Sequence, residues 1–193
     1  MTEAELVLQS ALVDLRESES EKWQGYTYRG IGDFLLQHGR WFEPRAFPDH
    51  EWRGLPRHCF GNAICLAATK GYRYVEGVAI GVFDGGAEAM HHGWNIDPYG
   101  NLIDSTWQNT GVAYLGIEFS LGRADHDTWE DDGAILNNPN SGFELYRNPW
   151  HGEDFKRVWP ESEALSALRL GLIGDTGKAF SLFDQYGYKR QQA

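Results

Sequence analysis

Cysteine is scarce in this sequence: among 193 residues only Cys59 and Cys65 occur. Two cysteines so close together cannot staple distant parts of a fold, so the sequence does not predict a disulfide-stabilised secreted domain. The predicted location is cytoplasmic, where thiols stay reduced.

Positive charge is also in short supply. The chain carries 17 Lys and Arg residues against 28 Asp and Glu, which gives a formal net charge of −11. An acidic field of that size repels polyphosphates, and no run of Lys or Arg interrupts it. Nucleic acid is therefore not expected as a partner.

Long apolar runs are absent as well. No stretch of about 18 consecutive apolar residues occurs, so no membrane span is predicted and no membrane partner is expected. The first residues, MTEAELVLQSALVDLRESESEK, are acidic and lack the basic segment of a signal peptide.

The sequence does contain enough apolar material for a core. Hydrophobic residues make up 41% and charged residues 23% of the chain, which is typical of a globular domain. Aromatic residues reach 14%, with eight Trp, and such side chains line clefts as well as cores. We predict a single domain over residues 1–193, with its chemistry in about residues 57–120.

Apolar spacing and end signals predict several helices. The middle one, CFGNAICLAATKG, follows Pro56 and is apolar nearly all round, so it should be buried. The predicted helices cover residues 3–18, 31–39 and 59–71, and two more lie within SEALSALRLGL and GKAFSLFDQYGY.

Runs of β-branched and aromatic residues predict the strands. These are YRYVEGVAIGVF, VAYLGIEF, and a hairpin of HHGWNID and NLIDSTW around Pro98–Gly100. Residues 43–57, 84–90 and 122–158 are predicted as loops, the last with short elements. The predicted fold class is α+β, with a central helix packed on a mainly antiparallel sheet and extra N- and C-terminal helices.

Three residues carry the chemistry of an activated nucleophile. Cys59 begins the central helix, where the positive end of the macrodipole favours a thiolate. His92 lies in one arm of the hairpin and Asp104 in the other, so the two side chains can meet across it. The imidazole can hold the thiol proton while the carboxylate fixes its tautomer.

The stretches CFGNAICLAATKGYRYVEGVAIG, HHGW and YGNLIDSTW resemble the transglutaminase-like branch of the papain-type cysteine enzymes. The resemblance implies a papain/transglutaminase-like fold, with Cys59 as nucleophile, His92 as base and Asp104 as orienting carboxylate. It also implies Trp94 as a wall beside them. Arylamine acetyltransferases share the same set, but this chain is short for one.

The sequence departs from the family pattern at two positions. Ser105 stands where the family often has Pro, and Arg53 stands six residues before Cys59, where papain uses Gln. The side-chain oxyanion donor is therefore unassigned, although the backbone N–H of Cys59 is one donor.

The expected activity is cysteine-dependent acyl chemistry. Cys59 would attack an amide or peptide carbonyl, form a thioester, and release the acyl group to water or an amine. The substrate would be a peptide or a small amide. Trp94, Trp107 and Trp52 are expected to contact it, and no cofactor or metal is expected.

Other interpretations stay open. The domain could be a binding module that keeps the fold without the chemistry. Cys59 could be a small buried hydrophobe, as Cys65 is expected to be. Asp104 could merely cap a turn onto Ser105 and Thr106.

The adjacent histidines raise a third alternative, a metal site. The candidate N and S ligands are His58, Cys59, His91 and His92. Neighbouring residues on a strand point to opposite faces, so one metal ion would rarely bind both His91 and His92. The same alternation groups His92 with Trp94 and Ile96 on the apolar side. That side is expected to face the central helix, with His91 turned toward a loop or solvent.

Overall fold

An antiparallel sheet of five strands organises the chain. The computed structural model describes residues 1–49, 51, 53–107, 109–127, 134–152, 157–159 and 165–166. The strands are β1 (Arg40–Phe42), β2 (Arg73–Phe83), β3 (Gly86–Ile96), β4 (Leu102–Ile103) and β5 (Ala113–Phe119). Their order is β1-β5-β2-β3-β4, so the short β4 lies at one edge, beside β3.

Helices of very different length accompany the sheet. They are α1 (Glu3–Ser18), α2 (Gly30–His38), α3 (Cys59–Lys70), α4 (Leu121–Asp125) and α5 (Glu144–Arg147). α1 begins at a capping box formed by Thr2 and Glu5. α3 ends at Gly71, whose left-handed φ of 68° costs glycine little. In the described part of the chain, no helix combines the length and apolar character needed to cross a bilayer.

The two faces of the sheet serve two separate cores, because side chains alternate along each strand. One face meets α1, α2 and α3 in the main core, to which β2 contributes Tyr74, Val78 and Ile80. The opposite face carries a smaller core, made of Phe42, Val75, Ala79, Trp94, Ile96, Leu102 and Tyr114. Successive residues of β3 therefore point into different surroundings.

Most of the predicted elements are confirmed, as is the α+β class with an antiparallel sheet. The helix predicted over residues 3–18 is α1. The one predicted over 59–71 is α3, with Gly71 as its cap. The strands predicted over 72–83 and 112–119 are β2 and β5.

One of the predicted loops is wrong. Residues 84–90, expected to form a loop, belong mostly to β3, which begins at Gly86. These positions are exposed on both faces, so no apolar alternation marks them as a strand. β1 was not predicted because three residues are too few to show a period. The predicted C-terminal helices lie outside the described residues, apart from helical residues 165–166.

Candidate active site

Cys59 is the first residue of α3 and follows His58 at the N-cap position. The first N–H groups of a helix have no acceptor within the helix, so the backbone N–H of Cys59 has no acceptor within α3. It lies at the same end of α3 as the Cys59 thiol. Cys59 is partly exposed, whereas Cys65 is fully buried. Burial raises the pKa of the Cys65 thiol, so the two cysteines have different chemistry.

The side chain of Asn62 holds the segment that leads into Cys59. Its Oδ1 accepts from the Leu55 N–H at 3.1 Å, and its Nδ2 donates to the Leu55 carbonyl at 2.8 Å and to Thr106 Oγ1 at 2.9 Å. Gly54 lies so close that a Cβ there would come within 2.1 Å of the Asn62 side chain. The sequence analysis did not predict these hydrogen bonds, although Asn62 is a lone amide inside an apolar helix and could have indicated them.

His92 and Asp104 meet across the hairpin that the sequence predicted. His92 Nε2 lies 2.9 Å from Asp104 Oδ2, and the two side chains are only 3% and 1% exposed. Asn95 of β3 pairs with Ile103 of β4, so Asp104, the next residue, continues along the edge of β3 toward His92.

Asp104 accepts four hydrogen bonds from the residues that the structure describes, two at each oxygen. Oδ1 accepts from the backbone N–H groups of Thr106 and Trp107, at 3.0 and 3.3 Å. Oδ2 accepts from His92 and from the Tyr114 hydroxyl, at 2.9 and 2.7 Å. Burial opposes the charge on Asp104, but His92 and these hydrogen bonds outweigh it and lower the pKa of the carboxyl. Asp104 therefore caps a turn and holds the imidazole at once.

Tyr114 of β5 is a site residue that sequence reasoning missed. Its hydroxyl donates to Asp104 and accepts from the Gly111 N–H at 2.8 Å, so it ties β5 to the hairpin. The strand pattern placed an aromatic residue here, but nothing in the sequence indicated that Asp104 would be its partner.

His92 is the proton-holding group of the site. Burial works against the imidazolium, but the charge and hydrogen bond of Asp104, together with the Cys59 thiol, outweigh it and raise the pKa of His92 to about 9. Because Nε2 faces Asp104, Nδ1 is the nitrogen left for the thiol, which lies within hydrogen-bonding reach. At neutral pH the imidazole therefore carries its proton.

Trp107 forms the boundary between the His92–Asp104 bond and solvent. Its ring is stacked on His92, with centroids 3.9 Å apart and an interplanar angle of 14°, and it is partly exposed. Arg53 donates to the Trp107 carbonyl oxygen and lies 4.1 Å over the ring of Phe47. Its guanidinium thus supports Trp107, and the structure does not make it the side-chain oxyanion donor.

The other two tryptophans expected to contact substrate differ from Trp107. Trp94 is 1% exposed and packs against Phe42 and Tyr114. It is a core residue and not part of a cleft wall, because the face of β3 that carries it is covered. Trp52 lies outside the described residues.

The side of β3 that faces α3 is the opposite of the one predicted. Asn95 Nδ2 donates to the Ala63 carbonyl of α3 at 2.9 Å. A Cβ on Gly93 would come within 2.9 Å of Phe60 and 3.3 Å of the Cys59 carbonyl oxygen. The residues beneath or beside α3 are therefore His91, Gly93 and Asn95, while His92, Trp94 and Ile96 face away from it.

His92 nevertheless reaches the thiol, because the edge of β3 is open at this point. β4 pairs only with Asn95 and Ile96, so no strand of the described chain covers that edge beside His92. Cys59, at the very start of α3, therefore approaches His92 around the edge and not across the face.

His91 does not point into solvent, as the sequence suggested. Its Nε2 lies 2.8 Å from Oε1 of the fully buried Glu76, and its ring contacts Phe60 at a centroid distance of 4.9 Å. The adjacent histidines thus have separate carboxylate partners on opposite faces of the sheet. Among the residues that the structure describes, no group of three or more His, Cys, Asp or Glu side chains is arranged to hold a metal ion.

Tyr114→Phe should weaken the site without dismantling it. The variant loses one of four hydrogen bonds to Asp104, so we expect the free energy of unfolding to fall by about 1 kcal/mol and turnover to fall roughly fivefold. Urea unfolding and turnover measure the two effects. Tyr72→Phe is the control, because Tyr72 donates to Glu51 instead and should lose stability alone. Equal turnover in the two variants would remove Tyr114 from the site.

A thiol, an imidazole and a carboxylate therefore share one end of the contact between α3 and β3. Their order is that of an activated nucleophile with an oriented base. Comparisons of the chain with protein-family models, with curated proteins and with solved structures find no match.

Proposed function

We propose that this chain is a cysteine enzyme that breaks an amide or peptide bond through a thioester intermediate. The observation that carries the proposal is the Cys59 thiol at the start of α3, within reach of the buried His92–Asp104 pair. A buried ion pair is a weak source of stability, so its position beside a thiol is better explained by chemistry than by packing.

The reaction starts from the pair in which His92 Nδ1 already holds the thiol proton of Cys59, so that a thiolate faces an imidazolium. The thiolate attacks the carbonyl carbon, a C–S bond forms, and the carbonyl electron pair moves to oxygen. When that pair returns, the C–N bond breaks and the leaving nitrogen takes the proton from Nδ1. Water or an amine then attacks the thioester and gives its proton to His92, and the thiolate leaves.

Two further groups support this sequence. The backbone N–H of Cys59, at the positive end of α3, is a donor for the developing oxyanion. Asp104 keeps its charge throughout and holds the proton on Nε2 of His92, so that Nδ1 is the atom that exchanges protons with the thiol and the leaving group.

The arrangement of elements supports a papain/transglutaminase-like fold for this enzyme. A helix led by Cys59 packs on an antiparallel sheet, His92 follows on a strand, and Asp104 comes directly after the next strand. A peptide or small amide substrate and a cytoplasmic location belong to the same proposal. The net charge of −11 disfavours substrates with many negative charges.

Brief alkylation of the native protein with iodoacetamide near neutral pH tests the proposal. We expect the adduct on Cys59, at a rate at least about tenfold above that of free N-acetylcysteine, because His92 holds the proton. Cys65 should stay unlabelled, since it is fully buried. Mass spectrometry locates the adduct, and unfolded protein, in which both thiols label alike, is the control. A rate equal to that of free thiol would favour a binding module, and labelling of Cys65 first would contradict the assignment.

A further inference from the structure

A cavity of about 240 Å³ lies on the side of the sheet away from the His92–Asp104 pair. His91 lines it from β3, and part of its wall is polar. The apolar or aromatic lining residues are Leu15, Trp23, Ile31, Leu136 and Tyr146, and the other polar ones are Glu19, Lys22 and Asn137. The volume is below the roughly 300 Å³ at which pockets for whole small molecules begin. The cavity therefore suits a single side chain.

Among the polar groups at this cavity, His91 is held in place by the buried Glu76 behind it. Glu76 accepts from the backbone N–H groups of Ile135 and Leu136, at 3.0 and 2.6 Å, and from the Tyr74 hydroxyl at 3.0 Å. Backbone N–H groups can only donate, so the Glu76 carboxyl acts as an acceptor and His91 Nε2–H donates to it. In the neutral imidazole, Nδ1 is then the atom that can accept a proton donor from a ligand.

The cavity lies near the end of α3 that carries the thiol. Ala63 lies over Asn95 and Phe60 lies over Gly93, so α3 runs along β3 with its N-terminus nearest His91. His91 is two residues from Gly93, a distance of about 7 Å along a strand. A group in the cavity is thus one side-chain length from a carbonyl at Cys59.

We propose that this cavity binds the side chain of the residue whose carbonyl Cys59 attacks, and that it selects an aromatic side chain ending in a hydroxyl, such as tyrosine. This assignment rests on the proposed function. The leaving group must collect its proton from His92, so it lies on the His92 side of β3. The cavity is on the other side and belongs to the acyl part of the substrate.

The hydroxyl requirement follows from His91. Of the other polar residues, Lys22 donates to Glu19 at 3.4 Å, and Trp23 Nε1 donates to Glu19 at 3.1 Å. An aromatic ring fills a space lined by Trp23, Ile31 and Tyr146, and its hydroxyl can donate to His91 Nδ1. A ring without the hydroxyl would cover that nitrogen and leave it without a partner, which costs affinity.

Binding of p-cresol and of toluene to full-length Cys59→Ser protein tests the site without any turnover. Titration calorimetry should show p-cresol binding about tenfold tighter than toluene. In a second protein that also carries His91→Leu, the two affinities should become about equal. Equal affinities before that change would overturn the proposal.

Turnover gives the second test, with p-nitrophenyl esters of N-acetyl-tyrosine, N-acetyl-phenylalanine and N-acetylglycine. Here the thiolate displaces p-nitrophenolate, so the C–O bond breaks and the thioester forms. We expect kcat/KM for the tyrosyl ester to exceed that for the phenylalanyl ester about tenfold, and His91→Leu to reduce this ratio to about one. Ile31→Trp fills the cavity and should lower the tyrosyl-to-glycyl ratio, which keeps the test decisive if His91→Leu does not fold.

The two experiments separate the cavity from the chemistry. Preferential binding of p-cresol with no ester turnover would uphold the cavity as a phenol site and overturn the acyl chemistry. Turnover with no tyrosyl preference, together with equal binding of p-cresol and toluene, would overturn the cavity and leave the acyl chemistry standing.

Discussion

Replacing His92 with alanine or glutamine should lower kcat/KM by about 10²- to 10⁴-fold. The Nδ1 atom of His92 is the group within reach of the Cys59 thiol, so its loss removes both the base for the thiol and the acid for the leaving group. Rapid alkylation of Cys59 should disappear as well. Glutamine can still donate a hydrogen bond to Asp104, so a disrupted hairpin would not explain an inactive His92→Gln variant. Turnover and the iodoacetamide rate are the two measurements.

The neighbouring histidine supplies the comparison for this test. His91→Ala should lose less of both activities than His92→Ala, because His91 is bound to Glu76 on the other face of β3. His151→Ala, at an exposed position, is the surface control. A larger loss for His91→Ala than for His92→Ala would make His91 the base and contradict the assignment of the two histidines to opposite faces of β3.

The positions of Cys59, His92 and Asp104 could be predicted because each depends on a local pattern. Pro56 before the central helix and Gly71 after it fixed the bounds of α3, and with them the position of Cys59 at its start. The turn at Pro98–Gly100 determined which residues of the hairpin arms meet, and that brought His92 to Asp104.

The face of β3 that meets α3 could not be predicted in the same way. The sheet is covered on both faces, so alternation separates two sets of residues without saying which set lies under the helix. The large apolar residues Trp94 and Ile96 belong to the smaller core. The helix instead rests on Gly93, where a Cβ would not fit, and on Asn95, whose amide binds the Ala63 carbonyl.

Contacts between distant residues were also beyond sequence reasoning. Glu76 is a lone acid in an apolar strand, which marks it as unusual, but its partners Ile135 and Leu136 follow 59 and 60 residues later. Tyr114 is one aromatic residue among many in this chain. Its role depends on β5 lying beside β2, and the sequence of a single strand does not predict which strands will be its neighbours in the sheet.

Asp104→Asn should keep the hairpin but cut turnover by on the order of 10⁴-fold. Among the residues that the structure describes, the partners of Asp104 Oδ1 are the backbone N–H groups of Thr106 and Trp107, so the amide oxygen of asparagine must take that place. The amide NH₂ then faces His92 Nε2, which must give up its proton, and the proton moves to Nδ1. An imidazole with Nδ1–H facing Cys59 cannot take the thiol proton.

The pH dependence of this variant gives a measurement that a merely structural role would not change. The pKa of His92 is raised to about 9, so kcat/KM of the wild-type protein should fall as pH rises past about 9. In Asp104→Asn, which lacks the charge of Asp104, this alkaline limb of the pH profile should move to lower pH. The raised pKa also affects stability. The His92–Asp104 pair stabilises the wild-type fold fully below the ordinary histidine pKa of 6.5, and this stabilisation is lost as pH rises through about 9. In Asp104→Asn, the free energy of unfolding should not decline over this pH range. Asp97→Asn is the matched control, since Asp97 accepts from Tyr99 and Asn101 in the same hairpin and should keep both turnover and the limb. Wild-type turnover with an unmoved limb in Asp104→Asn would reduce Asp104 to a turn cap.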